Sequence, residues 1–293
     1  LVDEFQDLGP DRYRLLKALI KRNSLASITC VGDDWQSIYA FNGSKIDYIY
    51  DFNQYFNTTA YNLKLSQTFR FSNQMSNLTN IFIQKNKKQI AKNIHAGNKH
   101  SDDYLEVISK GFEKELCGTI KEIINNRIPK NQQVLLLNRQ IKGPIKLYKK
   151  AGLDNKRLYP HLSISSIHKA KGSSSDYVII DDVSQGSFPS FYEDDSVLNM
   201  LRDSKDEMLF AEERRVFYVA LTRAKIKTFI IHNGMPSEFV LELLLNGNKS
   251  KKCKKCGNIM TKKIRKENHL ISFWGCVNFG DKDLHCNYSE PIT

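Results

Sequence analysis

The chain has 293 residues, of which 41% are hydrophobic and 26% charged, and its formal net charge is +12 at pH 7. This balance is typical of a globular protein and excludes an intrinsically disordered one. No apolar run reaches the ~20 residues of a transmembrane helix, and no signal peptide is visible, so the sequence predicts a cytoplasmic protein without membrane contacts. The positive charge favours a polyanionic partner, because each neutralised phosphate releases condensed counterions.

Strands and helices are predicted to alternate along the chain, which indicates an α/β fold built on a mostly parallel sheet. Strands are predicted over 1–2, 27–31, 104–109, 133–138, 177–181 and 226–232, and a further strand enters a glycine turn within 163–172. Helices are predicted over 11–21, 73–92, 112–126, 211–225 and 238–245.

The first predicted strand ends in two carboxylates, Asp3 and Glu4. Open α/β sheets bind ligands at the carboxyl ends of their strands, and an aspartate there suits Mg²⁺, which prefers oxygen ligands. The alternative is a solvated acidic turn that caps the helix beginning at Asp11. These residues alone leave both interpretations open.

The helix predicted over 211–225 combines apolar and basic positions. Its apolar residues predict a buried face: Val216, Phe217, Val219, Ala220 and Leu221. Arg214, Arg215 and Arg223 need partners, so the stretch is typical of a helix that presents fixed guanidiniums to an anion. The alternative is an amphipathic surface helix with Glu/Arg pairs along one face.

Four of the six cysteines lie near the end of the chain, at Cys253, Cys256, Cys276 and Cys286. A C-x-x-C pair followed by two further cysteines favours a closed tetrahedral Zn²⁺ site over disulfides. His269 and His285 are alternative ligands, although four thiolates are enough. A module of this size has little core, so we expect its folding to depend on the metal.

The tail around these cysteines is rich in lysine and carries Phe273, Trp274 and Phe279. Exposed aromatic rings among cations are typical of a surface that binds single-stranded nucleic acid. A purely structural or protein-contacting module is the alternative.

Four motifs carry a family resemblance. They are L-V-D-E-F-Q-D at Leu1, V-G-D-D-W-Q-S-I-Y-A-F-N-G-S at Val31, S-I-H-K-A-K-G at Ser166 and the arginine-rich helix ending in A-L-T-R-A-K. In this order they resemble the motifs of superfamily 1 helicases of the UvrD/Rep type. D-Y-V-I-I and Q-G-S-F-P-S are most similar to the helicase IV branch.

The resemblance implies a RecA-like P-loop NTPase motor. Residues 1–72 would be the C-terminal part of a first RecA-like domain, 73–236 a complete second one, and 237–252 a helix with a basic linker. Residues 253–293 resemble the zinc ribbons of type IA topoisomerases.

The resemblance also implies a site for ATP and Mg²⁺ where the two domains meet. Asp3 is implied to hold Mg²⁺, and Glu4 to orient and deprotonate the attacking water. Arg223 is implied to be an arginine finger, which stabilises charge on the transferring phosphoryl group.

Further side chains around the nucleotide follow from the same resemblance. Gln36 and Arg70 are implied to contact the γ-phosphate and Arg139 to lie at the nucleotide cleft. Lys171 and Gly172 are implied to form a turn at the domain interface. Contacts between domains or on the DNA side are implied for Glu213 and Arg215.

Single-stranded DNA is the partner that the resemblance implies, together with junctions between single- and double-stranded DNA. Tyr39 and Phe41 would lie towards the bases, where ring stacking is favourable, with core packing as the alternative. Ser166 and His168 would contact the backbone, since both can donate to phosphate without reading bases.

The sequence departs from the family pattern in three places. Only Gln140–Ile167 separates Arg139 from His168, which leaves no room for a large accessory subdomain. Ser174 stands where many relatives have a glutamate, so a carboxylate contact to ribose is not expected. No G-x-x-x-x-G-K-[ST] loop is present. We therefore expect that loop to precede Leu1 in a longer protein, and these 293 residues alone to hydrolyse ATP negligibly.

The function implied by the resemblance is part of an ATP-dependent DNA helicase with 3′ to 5′ polarity and a place in DNA repair. A non-catalytic nucleic-acid-binding module with a zinc ribbon is the alternative. A helicase-like nuclease is a third candidate, but the sequence has no acidic nuclease constellation after the motor.

Overall fold

The computed structural model describes residues 1–23, 25–97, 103–110, 116–140, 142–190, 208–247, 251–264, 271–279 and 286–292. Its helices are α1 (Pro10–Arg22), α2 (Asp47–Tyr50), α3 (Phe52–Phe56), α4 (Asn73–Ile83), α5 (Leu116–Asn126), α6 (Pro144–Lys150), α7 (Ala211–Leu221) and α8 (Glu238–Asn246). Its strands are β1 (Gln67–Thr68), β2 (His95–Ala96), β3 (Leu105–Lys110), β4 (Val134–Asn138), β5 (Leu162–Ser166), β6 (Ser175–Asp181), β7 (Ala224–Asn233), β8 (Lys251–Lys252), β9 (Ile259–Ile264), β10 (Ile271–Cys276) and β11 (Ser289–Pro291).

Five parallel strands, in the order β3-β7-β6-β4-β5, form the centre of the fold. The central strand β4, Val134–Asn138, is a short apolar run that is buried at every position, the pattern of a strand covered on both faces, whereas the edge strand β5 carries three serines and is only partly buried. The predicted mixed α/β fold is therefore confirmed within the described residues.

Alternate side chains of these strands enter two separate cores. Leu135 and Leu137 of β4 lie in the core that α4, α7 and α8 cover, whereas Leu136 lies in the core that α5 and α6 cover. Successive strand residues point to opposite faces. The result is a three-layer arrangement of helices, sheet and helices.

Helix α7 is buried almost all round, since Glu212 is its one residue that is not buried. The guanidinium of Arg214 donates to Glu242 of α8 at 2.9 Å and lies 4.4 Å from the centre of the Phe82 ring. Its partners thus come from other helices, and the surface-helix interpretation of this stretch is wrong.

Two predicted helices are shorter than the sequence indicated. The helix 73–92 ends at Ile83, because Asn86 accepts from the Lys88 backbone N–H and forms a local turn instead. The helix 211–225 ends at Leu221, where the Thr222 hydroxyl donates to main-chain carbonyls of the last turn. The predicted strands over 104–109, 133–138, 177–181 and 226–232 agree with the structure to within two residues at each end.

The first segment, residues 1–72, differs more from its prediction. Strands 1–2 and 27–31 are reduced to one parallel bridge between Val2 and Cys30, with Leu1 92% exposed. One bridge does not make a ladder, because no neighbouring strand in the described residues extends it. The segment is held instead by a small hydrophobic core that includes Phe5 and Tyr48.

The tail joins the central sheet directly. Strand β9 pairs in parallel with β3, and β8, β10 and β11 extend the sheet in antiparallel fashion. Ile259 and Val277 pack into the same core as α7 and α8, and Lys262 pairs with Glu106 at 2.9 Å. The sequence predicted a ribbon attached by a linker and did not anticipate this shared sheet.

His232 at the end of β7 lies at this seam. Its Nε2 is 3.2 Å from the Thr261 hydroxyl of β9 and its Nδ1 is 3.0 Å from the Gly234 carbonyl. Burial, followed by the nearby Lys263, lowers the pKa of His232 to about 3. The imidazole is therefore neutral in the folded protein at neutral pH.

Stability should fall as His232 is forced towards protonation. Because the folded pKa of His232, about 3, lies below the ordinary value of about 6.5, its contribution is present above pH 6.5 and is lost as the pH falls. Between pH 7 and pH 5 we expect a loss of about 2 kcal/mol from this group, measured by chemical unfolding. His232→Asn should flatten that pH dependence and His95→Asn, at an exposed position, should not. An unchanged slope in His232→Asn would contradict the assignment.

Candidate nucleotide and DNA site

A chain of hydrogen bonds links the first carboxylates to the G-D-D-W-Q turn. Gln6 Nε2 donates to Glu4 Oε2, and Gln6 Oε1 accepts from the Asp33 backbone N–H at 2.9 Å. Asp33 Oδ2 in turn accepts from Gln36 Nε2 at 2.6 Å. Glu4 and Gln36, which the sequence places far apart, are thereby joined through two polar side chains.

Arg223 reaches this chain from the joint between α7 and β7. Its Nη2 donates to Gln36 Oε1 at 3.4 Å, while its Nε and Nη1 donate to the carbonyls of Val219 and Ser173. The side chain is 1% exposed and so is held rigidly. Arg223 and the first segment therefore face one another.

A second guanidinium lies beside Arg223. Arg70 Nη1 donates to the Thr222 carbonyl at 3.4 Å. Burial, followed by the field of Arg70, lowers the pKa of Arg223 to about 10, so it stays protonated at neutral pH. Two neighbouring like charges are costly in the absence of an anion, and guanidiniums bind phosphate oxygens well.

The carboxylates of Asp3 and Glu4 are exposed at the rim of this site. Asp3 Oδ1 accepts from the Glu4 backbone N–H at 2.9 Å, and Glu4 has a left-handed backbone with φ 47. Exposed carboxylate oxygens beside a cationic pocket fit a hard cation that bridges to phosphate. The donor set thus fits Mg²⁺ together with a nucleotide.

Lys171, which the resemblance assigns with Gly172 to the turn at the domain interface, also belongs to the site. Its Nζ lies 2.6 Å from Asp7, 3.6 Å from Glu4 and 5.0 Å from the centre of the Tyr39 ring. The turn that carries it closes at Gly172, whose φ of 81 is a conformation that favours glycine.

The residues predicted to face DNA are brought together. The Tyr39 hydroxyl donates to the His168 carbonyl at 2.9 Å, and the Phe41 ring stands edge-on to the His168 ring at 5.3 Å. Phe41 is 47% exposed, which excludes core packing for that ring. Tyr39 by contrast is partly buried against the main core.

His168 and Ser166 flank this aromatic cluster of Tyr39, Phe41 and His168. Burial, followed by the field of Arg139, lowers the pKa of His168 to about 4, so its imidazole is neutral at pH 7. Ser166 ends β5, where its hydroxyl accepts from the Lys169 backbone N–H at 3.4 Å. In a contact with a DNA phosphate, the neutral imidazole of His168 would donate a hydrogen bond to a charged oxygen.

Arg139 is not brought to the nucleotide side. It forms an ion pair with Glu213 at 2.5 Å, near the start of α7. Helix α7 runs ~12 Å from Glu213 to its last residue, Leu221, at 1.5 Å per residue, and Arg223 lies beyond that end. Arg215 does contact the first segment, because its Nε donates to the Ser37 carbonyl at 2.6 Å.

The four tail cysteines converge on one point. Their sulfur atoms all lie within 4.8 Å of one another, and none forms a disulfide. Burial opposes ionisation of Cys253, but backbone N–H groups of Cys256 and Lys255 lower its pKa to about 7. Four sulfurs at such spacing fit a tetrahedral thiolate site. His269 and His285 lie outside the described residues.

The three aromatic residues of the tail are not equivalent. Phe279 is 64% exposed, whereas Phe273 and Trp274 are partly buried and Trp274 packs against the cysteine cluster. The prediction of three exposed rings is therefore wrong for Phe273 and Trp274, because Trp274 helps to fill the small core of the tail.

Comparison with known proteins covers both halves of this site. Residues 1–57 match the model of the UvrD/REP helicase N-terminal domain, and residues 145–234 match that of the UvrD-like helicase C-terminal domain. The chain belongs to the UvrD/Rep family of helicases. The resemblance read from the motifs is confirmed.

Relatives in this family are longer than the chain. DNA helicase IV of Escherichia coli (strain K12) is 34% identical over 254 residues, which make up 84% of this chain and 35% of that protein. ATP-dependent DNA helicase Rep of Buchnera aphidicola subsp. Acyrthosiphon pisum is 31% identical over 43% of this chain and 19% of its own length. ATP-dependent DNA helicase PcrA of Staphylococcus epidermidis is 30% identical over 43% and 17%. The chain thus spans 35% or less of these relatives.

A search of the described helices for a membrane span gives none with the length and apolarity that a bilayer requires.

Proposed function

We propose that this chain supplies the catalytic face of an ATP-dependent DNA helicase, with two RecA-like lobes that close on one nucleotide. The observation that carries the proposal is the contact between Gln36 and Arg223, which come from opposite family domains. Asp3 would hold Mg²⁺ and Glu4 would accept the proton of the attacking water. Gln36, Arg70 and Arg223 would stabilise charge on the γ-phosphoryl group, the main task in phosphoryl transfer.

Closure of the two lobes would change the contacts of the turn that holds Lys171 and Gly172. Lys171 already bridges to Asp7 of the first segment, so a change in the distance between lobes would alter that ion pair. Arg139 lies outside the proposed nucleotide contacts, since Glu213 holds its guanidinium.

The experiment that tests this function is ATP turnover by the full gene product with and without single-stranded DNA. Glu4→Gln removes the base but keeps the side-chain volume, so turnover should fall by ~10²–10⁴. Binding of DNA should be unchanged in the variant. Equal turnover in Glu4→Gln and wild type would favour a non-catalytic nucleic-acid-binding module instead.

We further propose that single-stranded DNA passes over the aromatic cluster, with Phe41 as the stacking ring. Phe41→Ala should weaken binding of a labelled oligonucleotide by about 1–3 kcal/mol. Tyr61→Ala is the control, because Tyr61 is 91% exposed and lies outside the cluster. Wild-type affinity in Phe41→Ala would show that the DNA runs elsewhere.

Polarity and the contribution of this chain alone are separate proposals. We infer 3′ to 5′ movement from the family resemblance, and unwinding of duplexes with a 3′ rather than a 5′ tail checks it.

The sequence has no G-x-x-x-x-G-K-[ST] loop, so we propose that these 293 residues hydrolyse ATP negligibly by themselves. Robust DNA-stimulated turnover by the isolated chain would contradict this.

We also propose that Cys253, Cys256, Cys276 and Cys286 hold one Zn²⁺. With all four positions filled by thiolates, the ion would be structural and would not bind a reactive water. The ion would hold the turn between β8 and β9, which carries Cys253 and Cys256, against the end of β10 at Cys276.

A further inference from the structure

Lys92 is a partly buried cation that none of the functional motifs contains. It lies in the segment after α4, and its side chain is 13% exposed. Its Nζ is 2.6 Å from Asp33 Oδ1 and 2.5 Å from Asp34 Oδ1, and it lies 5.0 Å from the centre of the Trp35 ring. Burial opposes its charge, but the two carboxylates prevail and raise the pKa of Lys92.

The segment that carries Lys92 is fixed against the same turn by its backbone. Trp35 Nε1 donates to the Ile90 carbonyl at 3.1 Å, and the Ile90 backbone N–H donates to Asp34 Oδ2 at 2.8 Å. The position of the ammonium is therefore set by neighbouring hydrogen bonds. A flexible surface lysine would have no such constraint.

Asp33 connects Lys92 to the nucleotide side. Its Oδ1 accepts from Lys92 and from the Trp35 backbone N–H, while its Oδ2 accepts from Gln36 Nε2 at 2.6 Å. With its amide nitrogen held in this way, Gln36 turns its Oε1 towards Arg223. An unbalanced carboxylate at this place would repel phosphate, and the charge of Lys92 offsets that repulsion.

We propose that Lys92 is a positioning residue for ATP hydrolysis, which neutralises Asp33 and through it fixes the amide of Gln36 opposite Arg223. This inference rests on the proposed function. In this role Lys92 acts through Asp33 and not by direct contact with the nucleotide. Its loss would leave Gln36 free to rotate and Asp33 charged beside the phosphates.

The test compares Lys92→Met with Lys92→Arg and with the exposed control Lys87→Met in the full gene product. Misplacement of a catalytic group by about 1 Å costs up to ~10²-fold, so we expect kcat in Lys92→Met to fall about 10- to 100-fold. The KM for ATP should rise by a smaller factor than kcat falls, because Arg70 and Arg223 would still attract the phosphates that the uncompensated Asp33 repels. Lys92→Arg should recover most of the loss.

A double-mutant cycle separates positioning from a general structural role. If Lys92 acts through Gln36, Lys92→Met should add little to the loss caused by Gln36→Ala, whereas independent effects would add. Thermal unfolding checks that each variant is folded, and Lys92→Gln replaces Lys92→Met should the latter not fold. Wild-type kcat in the folded variant, or fully additive losses, would overturn the role of Lys92. Absence of DNA-stimulated turnover in the wild-type protein would instead overturn the proposed function.

Discussion

Replacing Arg223 by alanine should lower DNA-stimulated ATP turnover by ~10³-fold or more, the loss that removal of an arginine finger causes in phosphoryl transfer. The guanidinium is buried, oriented by the carbonyls of Val219 and Ser173, and aimed at Gln36. No reorganisation is then needed when charge develops on the γ-phosphoryl group. The measurement is steady-state turnover at saturating ATP and DNA.

Two further variants serve as controls for Arg223→Ala. Arg223→Lys keeps the charge but loses the planar fork, so it should recover only part of the activity. Arg157→Ala, at an exposed position, should behave as wild type. Turnover within a few-fold of wild type in Arg223→Ala would remove Arg223 from the mechanism.

Replacing Cys253 by serine, or removing metal with a chelator, should unfold the tail and loosen the edge of the main sheet. Structural zinc contributes about 10–16 kcal/mol to the folding of zinc-finger peptides at pH 7. Because β9 pairs with β3 and Ile259 and Val277 enter the main core, the loss should reach the central parallel sheet. A lower Tm and faster proteolysis within 251–264 would report it.

Metal analysis is the companion measurement. We expect one zinc per wild-type chain and less in Cys253→Ser. Cys117→Ser is the matched control, since Cys117 lies outside the cluster and should leave metal content unchanged. No bound metal in the wild-type protein would contradict the zinc proposal.

The central sheet could be predicted from the sequence because its strands are short apolar runs. Val134–Asn138 is buried at every position. Its run of apolar residues can be recognised without knowledge of the rest of the chain. The turns and bridges of the first segment could not be predicted in the same way. Val2 and Cys30 look like strand residues, yet a strand also requires neighbours, and local apolarity does not reveal them.

The site was predictable to the extent that its residues lie in motifs. Arg223 donates to Gln36 and Arg70 donates to the Thr222 carbonyl, so residues of separate motifs lie together, while their roles at a nucleotide stay a prediction. Gln6 and Lys92 were missed because their roles depend on partners that lie far away in sequence. The lysine-rich strand β9 likewise resembles a solvated surface until Lys262 is found beside Glu106.

The most direct test of the central claim is a crystal structure of the full gene product with Mg²⁺ and a non-hydrolysable ATP analogue. We predict that the γ-phosphate lies within hydrogen-bonding distance, about 3 Å, of the side chains of both Gln36 and Arg223, with Asp3 and Glu4 on the side of the metal and water. A nucleotide bound where one of these two side chains cannot reach it would contradict the account.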